Sequence, residues 1–157
     1  MRMIFLMDMY TQAGDCWKAE EVLGRIQSLG RTPDLISYNT VIKGFRRQGL
    51  MQEAIGIFSE MSGRGIRPCI VTYNTFISGY AAREMFAEID DVVEYMFQHG
   101  YRLNELTCKI IVNGYCKAGS VLAPLAAYLT SKYAIFCQTY MYNSAHDAAF
   151  SASLLPF

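Results

Sequence analysis

Two stretches of this chain spell nearly the same words. Thr32 to Phe45 reads TPDLISYNTVIKGF, and Ile66 to Tyr80 reads IRPCIVTYNTFISGY. Aligning Tyr73-Asn74-Thr75 on Tyr38-Asn39-Thr40 sets an offset of 35 residues, which also takes Gly44 to Gly79 and on to Gly114. A fixed period of that size means supersecondary units that bury their apolar faces on their neighbours, so the chain can fold only as an array. The register holds outside the matched words to about residue 120. An aromatic column reads Tyr10, Phe45, Tyr80, Tyr115, and an apolar one reads Met7, Ile42, Ile77, Val112. A turn column reads Gly14, Gly49, Glu84, Gly119, with Glu84 the one miss. Ile26, Met61 and Met96 align next, then Gly30, Gly65 and Gly100; Pro33 and Pro68 match, while Leu103 stands where a third Pro would be.

Each unit reads as two helices, because apolar residues recur at spacings of three and four. Tyr38, Val41, Ile42 and Phe45 form one stripe that Gly49 closes, and Ala54, Ile57, Phe58 and Met61 form the next, ended by Gly65 with Pro68 forbidding continuation. Asp34 and Thr72 stand where a helix start needs side-chain acceptors for its free N–H groups. The expected units are 1–34, truncated at its start, then 35–69, 70–104, and a first helix over 105–120. Glu84 in place of Gly, and Ile89 in place of Ala54, are both bulkier and predict a slightly different packing angle in the third unit. Beyond Ser120 the register is lost. Residues 121–157 hold one Asp, one Lys and no Glu or Arg, so they read as a degenerate tail, without the charged outer face of a second repeat helix.

Composition narrows the function. With 14 basic and 14 acidic residues the formal charge is zero, which excludes binding by a bulk basic tail and leaves room for a local basic strip. The five Cys are scattered without a CxxC pair and there are two His, so no zinc site, no other metal and no disulfide framework is expected; the thiols read as reduced and structural. Val121 to Cys137, the longest apolar region, is interrupted by Pro124 and Lys132, so no membrane role is expected. Asp90, Asp91 and Glu94 read as a solvated helix face, and His99 as a helix-end residue. No cofactor is called for, and the chain is not expected to be an enzyme.

The words PDLISYNTVIKGF, EAIGIFSEM, RPCIVTYNTFISGY and NELTCKIIVNGYCKAG, spread over residues 1–120, together resemble the pentatricopeptide repeat family, in the pure-repeat class of plant organelle proteins. The resemblance implies an all-α fold, a right-handed superhelical solenoid of 35-residue helix-turn-helix repeats whose first helices line a groove for single-stranded RNA, one base per repeat. In the family the reader is the residue after the Tyr of TYN, helped by the residue after the Pro of G-x-x-P, with a clamping residue three before the reader. Carried onto this sequence, Asn74 with Asn104 resembles a pyrimidine pair favouring cytosine, clamped by Val71 and Leu106. Asn39 resembles a pyrimidine reader clamped by Ile36, but its partner is Cys69 where Asp or Asn is usual, which weakens the choice between uracil and cytosine. Asp34 matches in the first unit, where Ile4 fills the reader slot and cannot make the amide contact. Lys109 fills it in the fourth and suits a phosphate instead. Arg47 and Lys117, at equivalent places near the ends of their helices, are the other expected phosphate contacts.

The same resemblance implies work on organelle transcripts, in processing, stabilisation or translation, beside other RNA-processing proteins. It implies the chloroplast, with the mitochondrion as the alternative; Met1 to Tyr10 already fits a repeat helix, so a targeting segment is not expected here. The rival expectations are a helical-repeat scaffold that holds a peptide or partner helix, and a non-functional truncated fragment. The column Ile4, Asn39, Asn74, Lys109 discriminates, since a peptide groove has no need of pyrimidine-reading amides.

Overall fold

A computed structural model describes residues 2–118. Met1, Gly119 and the expected tail over 121–157 lie outside the described residues. Among the described residues there are seven α-helices: α1 Arg2–Gln12, α2 Cys16–Ser28, α3 Leu35–Gln48, α4 Met51–Gly63, α5 Ile70–Ala81, α6 Phe86–Gln98 and α7 Glu105–Lys117. They belong to two compact units, Met1–Gly79 and Tyr80–Phe157.

The helices stop where the columns say, and for one reason. Gly14, Gly30, Gly49, Gly65 and Gly100 all have φ between 70° and 82°. At Gly49 the Leu50 N–H reaches back to the Phe45 carbonyl at 2.9 Å and the Gly49 N–H to the Arg46 carbonyl at 2.9 Å. That is the left-handed closure in which two otherwise orphaned carbonyls find donors. Asp15 to Tyr10 and Met85 to Tyr80 repeat it, as do Arg31 to Ile26, Ile66 to Met61 and Tyr101 to Met96. Tyr10, Phe45 and Tyr80 of the aromatic column and the Ile-Met-Met column are therefore the residues whose carbonyls receive the closing bond. Glu84, the miss in the turn column, keeps the same geometry at φ 58°, the one positive φ at a non-glycine residue among those described.

In the Met1–Gly79 unit α1 packs on α2, α3 on α4, and α3 on both α1 and α2. Tyr38, Val41, Ile42 and Phe45 are fully buried, with Met7, Leu23 and Met61 beside them. Trp17 meets Phe45 edge-on at 5.2 Å, and Phe58 meets Phe76 edge-on at 5.4 Å. Each of the fully buried aliphatic and aromatic side chains, Val41, Ile42 and Phe45 among them, contributes roughly 1.5–3 kcal/mol by leaving water. Gly44 and Gly79 permit close helix approach: a Cβ on Gly44 would stand 2.6 Å from Thr11 Cγ2, and one on Gly79 would stand 2.6 Å from Met51 Sδ. A polar tie joins three helices, where Glu60 Oε1 accepts from Gln27 at 2.7 Å, the Tyr38 hydroxyl at 3.1 Å and Arg64 at 3.0 Å.

In the Tyr80–Phe157 unit the described core includes Ile89, Val93, Met96, Leu103, Ile111 and Val112. Phe86 stacks on Tyr115 at 4.1 Å, and Gly114 repeats the close approach, its added Cβ 2.7 Å from that of Ala81. Cys16 and Cys69 are free thiols; Cys108 is disulfide-bonded, which corrects the reading of all five cysteines as reduced.

Candidate functional site

The candidate site is built on helix starts. Asp34 caps α3, its Oδ1 accepting from the Ser37 N–H at 2.8 Å and the Ser37 hydroxyl at 2.7 Å. Asn104 does the same at α7, accepting from the Thr107 N–H at 2.9 Å and hydroxyl at 2.7 Å. Both are side-chain caps of the usual kind, satisfying N–H groups that the helix leaves open. The hydrogen bond from Ser37 holds the Asp34 carboxyl below its ordinary value, against a smaller upward push from burial.

Cys69 stands at the same register position before α5, and it changes the pattern. Sulfur accepts weakly. The hydroxyl of Thr72, in register with Ser37 and Thr107, donates instead to Asn39 Oδ1 at 2.7 Å and accepts from the Cys69 N–H at 3.2 Å. Asn39 Nδ2 donates to Cys69 Sγ at 3.6 Å. So Asn39 and Cys69, paired in the sequence reading, are brought together, with Thr72 between them. Burial pushes the Cys69 thiol up, but hydrogen bonds from Thr72, Val71 and Asn39 together outweigh it and leave the thiol below its ordinary value. Thr72 is thus not the cap: it lies in the first turn and reaches back. The hydroxyl column Ser37, Thr72, Thr107 was present in the sequence as the signal for it.

Ile36, Val71 and Leu106 form a second column. Their side chains are 60%, 57% and 53% exposed, one near the start of each of α3, α5 and α7, and at the common offset. Their neighbours Tyr38 and Tyr73, at 0% and 3%, are packing residues. Asn39 is half-buried and Asn74 buried. Ile4 and Asp34 line one cavity of about 510 Å³ with Arg2, Ile26, Arg31 and Ser37. Arg47, Lys109 and Lys117 are exposed, as a cation needs to be to meet a polyanion. Arg46, which the sequence reading passed over, is half-buried; it donates to Ser78 at 3.3 Å, while its Nε is buried without a hydrogen-bond partner. Burial, and then the charge of Arg47, draws its pKa down.

Among the described residues no group of His, Cys, Asp and Glu could hold a metal, and no helix is long and apolar enough to cross a membrane. His99 stacks on Tyr95 at 3.9 Å with Nδ1 2.8 Å from the Tyr95 carbonyl, a local helix-end arrangement.

Comparison with known proteins gives a consistent result. The PPR repeat family model matches residues 33–68 and 68–117, and the pentatricopeptide repeat domain model matches residues 2–48. A mitochondrial pentatricopeptide repeat-containing protein of Arabidopsis thaliana is 41% identical over 56 residues, which is 36% of this chain and 7% of that protein. The crystal structure of the maize pentatricopeptide repeat protein PPR10 is 40% identical, with a TM-score of 0.76 over 91% of this chain and 20% of its own. The same protein in complex with an 18-nt psaJ RNA element gives 39% and 0.77, over 90% and 20%. Nuclear proteinaceous RNase P 2 of A. thaliana, at 19% identity and a TM-score of 0.61, shares the fold. The chain spans about a fifth of the length of the PPR10 structures. All-α helices in a 35-residue register, left-handed closures at the repeated glycines and matching family models over most of the described residues place this chain in the pentatricopeptide repeat family, with the fold class of an all-α repeat solenoid.

Proposed function

We propose that this chain binds single-stranded RNA through its first helices, one base per repeat, without chemistry of its own. The observation that supports it is the exposure of Ile36, Val71 and Leu106 at one register position, Ile36 and Val71 each three residues before the amides Asn39 and Asn74 in the sequence. Three large apolar side chains more than half exposed at one register position are not explained by packing alone. They suit a flat ligand repeated at the same period. An unstacked base meets that description, since aliphatic faces can sandwich it while an amide reads its Watson–Crick edge. That PPR10, at 39% identity, was solved with an RNA element bound supports the same reading.

In this reading Asn39 with Cys69, and Asn74 with Asn104, take adjacent pyrimidines, clamped by Ile36, Val71 and Leu106. Asp34 has Ile4 beside it and contributes no base reading. Arg47, Lys109 and Lys117 neutralise phosphates, each adding about −0.7 to the slope of log affinity on log salt. Stacking on aromatic platforms yields roughly 1–3 kcal/mol per base and aliphatic clamps less, so the few bases held here bind weakly. The role in the cell is occupancy of organelle transcripts, protecting, opening or presenting them to other RNA-processing proteins. The mitochondrial relative supports an organelle, and the family resemblance favours the chloroplast.

The test is enrichment of a short randomised single-stranded RNA pool at low salt, on the wild-type chain and on an Asn39→Ala/Asn74→Ala double variant. Adjacent pyrimidines are expected to be enriched by the wild type and not by the variant. No enrichment by a chain that is helical by circular dichroism would refute the reading and leave the peptide-binding scaffold in its place.

A further inference from the structure

The three first-turn hydroxyls at the common offset do not have the same partner. Ser37 donates to Asp34 at 2.7 Å and Thr107 donates to Asn104 at 2.7 Å, each to the cap of its own helix. Thr72 has a cysteine where those caps stand, and its hydroxyl crosses to Asn39 Oδ1 on α3, also at 2.7 Å. The choice follows from acceptor strength. Cys69 Sγ lies 3.7 Å from the Thr72 oxygen, but an amide oxygen is the far better acceptor. Thr72 is fully buried, so no water competes for the bond.

We propose that Thr72 is the positioning residue for Asn39, and that by taking the amide oxygen it makes Asn39 present an N–H donor, and so favour cytosine over uracil. This rests on the RNA reading above. The oxygen is engaged by Thr72, and one N–H is directed at Cys69 Sγ at 3.6 Å. With the oxygen turned towards Thr72, the group that the amide presents to a ligand is its second N–H. Cytosine offers an acceptor at N3, whereas uracil offers an N–H there, and a donor facing a donor costs a hydrogen bond. An untethered amide could rotate by half a turn and serve either base equally. Cys69 thus does not merely weaken the reader: by failing as a cap it transfers the hydroxyl of the following helix to the reader, and selectivity at this base depends on two helices at once.

The test uses the full chain with Thr72→Val, which keeps the shape and removes the hydroxyl, and Thr72→Ser, which restores it. Cys69→Asp is the second route: it supplies the cap that Asp34 supplies to Ser37, reclaims the hydroxyl and does not threaten folding. Affinity is measured for two oligoribonucleotides from the enriched pool that differ by cytosine or uracil at the Asn39-dependent position. In parallel, the Asn39 side-chain amide is followed by NMR in the RNA-free ¹⁵N-labelled chain. Thr72→Val and Cys69→Asp are each expected to bring the cytosine-to-uracil ratio about 3- to 10-fold closer to unity. Thr72→Ser keeps the ratio, and the Asn39 amide signals move in the first two variants only. An unchanged ratio in both variants, with Asn39→Ala abolishing it, overturns the positioning role and leaves RNA reading intact. If no form binds either oligonucleotide, RNA reading falls instead, and Asn39 signals identical in wild type, Thr72→Val and Cys69→Asp overturn the lock as well.

Discussion

Glu84 is held at φ 58° in the turn between α5 and α6, where the equivalent positions are Gly14 and Gly49. A side chain in this region meets its own backbone, at a cost of roughly 1–2 kcal/mol. Glycine escapes that cost but has more freedom to lose on folding, which returns about 0.5–1 kcal/mol. The backbone gain of glycine over alanine at this position is therefore about 1 kcal/mol. Glu84 also stands just before α6, where negative charge is favoured by the helix dipole by roughly 0.3–1 kcal/mol at low salt. Glu84→Gly gives up that charge, so its net gain at low salt is about 0.5 kcal/mol, rising towards 1 as salt screens the dipole. Glu84→Ala loses the charge and keeps the strain, and is slightly destabilising. Asn, which tolerates the left-handed region better than most residues, falls between.

The assay is urea unfolding followed by circular dichroism at low and high salt. With a slope of roughly 1–3 kcal/mol per molar, a 1 kcal/mol difference between the Gly and Ala variants separates their midpoints by about 0.5 M. The order expected is Gly above Asn above Ala. Should Glu84→Ala match Glu84→Gly, the effect belongs to the removed charge, and the claim that a strained backbone is stored in this turn is wrong.

The close approaches at Gly44 and Gly79 differ in what a methyl group would strike. Gly44→Ala meets the stiff, buried Thr11 at 2.6 Å with Cys16 Sγ at 3.0 Å, and is expected to cost about 2–3 kcal/mol; Gly79→Ala meets the flexible end of Met51 at 2.6 Å and costs about 1, both read from thermal midpoints. At the start of α3, Asp34→Ala is expected to cost about 1 kcal/mol at neutral pH. The Asp34 carboxyl is held below its ordinary 3.8 by Ser37, so its contribution is fully present above that value and is lost as pH falls through the lowered one. The gap between wild type and Asp34→Ala in urea midpoint should accordingly close in acid, whereas Asp34→Asn, which caps without ionising, should hold its midpoint relative to Asp34→Ala. A gap that persists unchanged at low pH would refute the capping account.

The fold was legible because each column carries a backbone requirement that few residues meet. A left-handed closure favours glycine, so Gly49 and Gly65 mark helix ends whatever surrounds them. The buried stripe of Tyr38, Val41, Ile42 and Phe45 has helical spacing because one face must leave water. Glu84 shows the limit of such reading, since the neighbouring helices impose the turn even where the residue resists it. The site was less legible, because register alone does not say which atom a hydroxyl will meet. Thr72 matches Ser37 and Thr107 in the sequence, and only the weakness of sulfur as an acceptor sends its bond to another helix. Arg46 was hidden for the opposite reason: next to the exposed Arg47 it reads as a second surface cation, yet its Nε is buried without a hydrogen-bond partner.

These two kinds of position lie on different faces of the same helices, and that separation has a physical consequence. Tyr38, Ile42, Gly44 and Phe45 hold α3 by burial and close approach, whereas Ile36, at 60% exposure, takes no part in the core. The candidate reader column holds Ile4, Asn39, Asn74 and Lys109 at one register position, residues as different as an aliphatic, an amide and a cation, while α1, α3 and α5, which carry the first three, keep their closures. Where that position is exposed, as at Lys109, a side chain can change what a ligand meets without altering what the core needs, whereas Asn74 is buried and cannot be exchanged so freely. Cys69 is the exception that tests this independence. It belongs to a helix start and touches the candidate reader at the same time, so a substitution there acts on capping and on Asn39 together. Coupling of that kind is expected wherever the residue that starts the first helix of one repeat lies within hydrogen-bonding distance of an amide on the first helix of the repeat before it, as Cys69 does with Asn39 of α3.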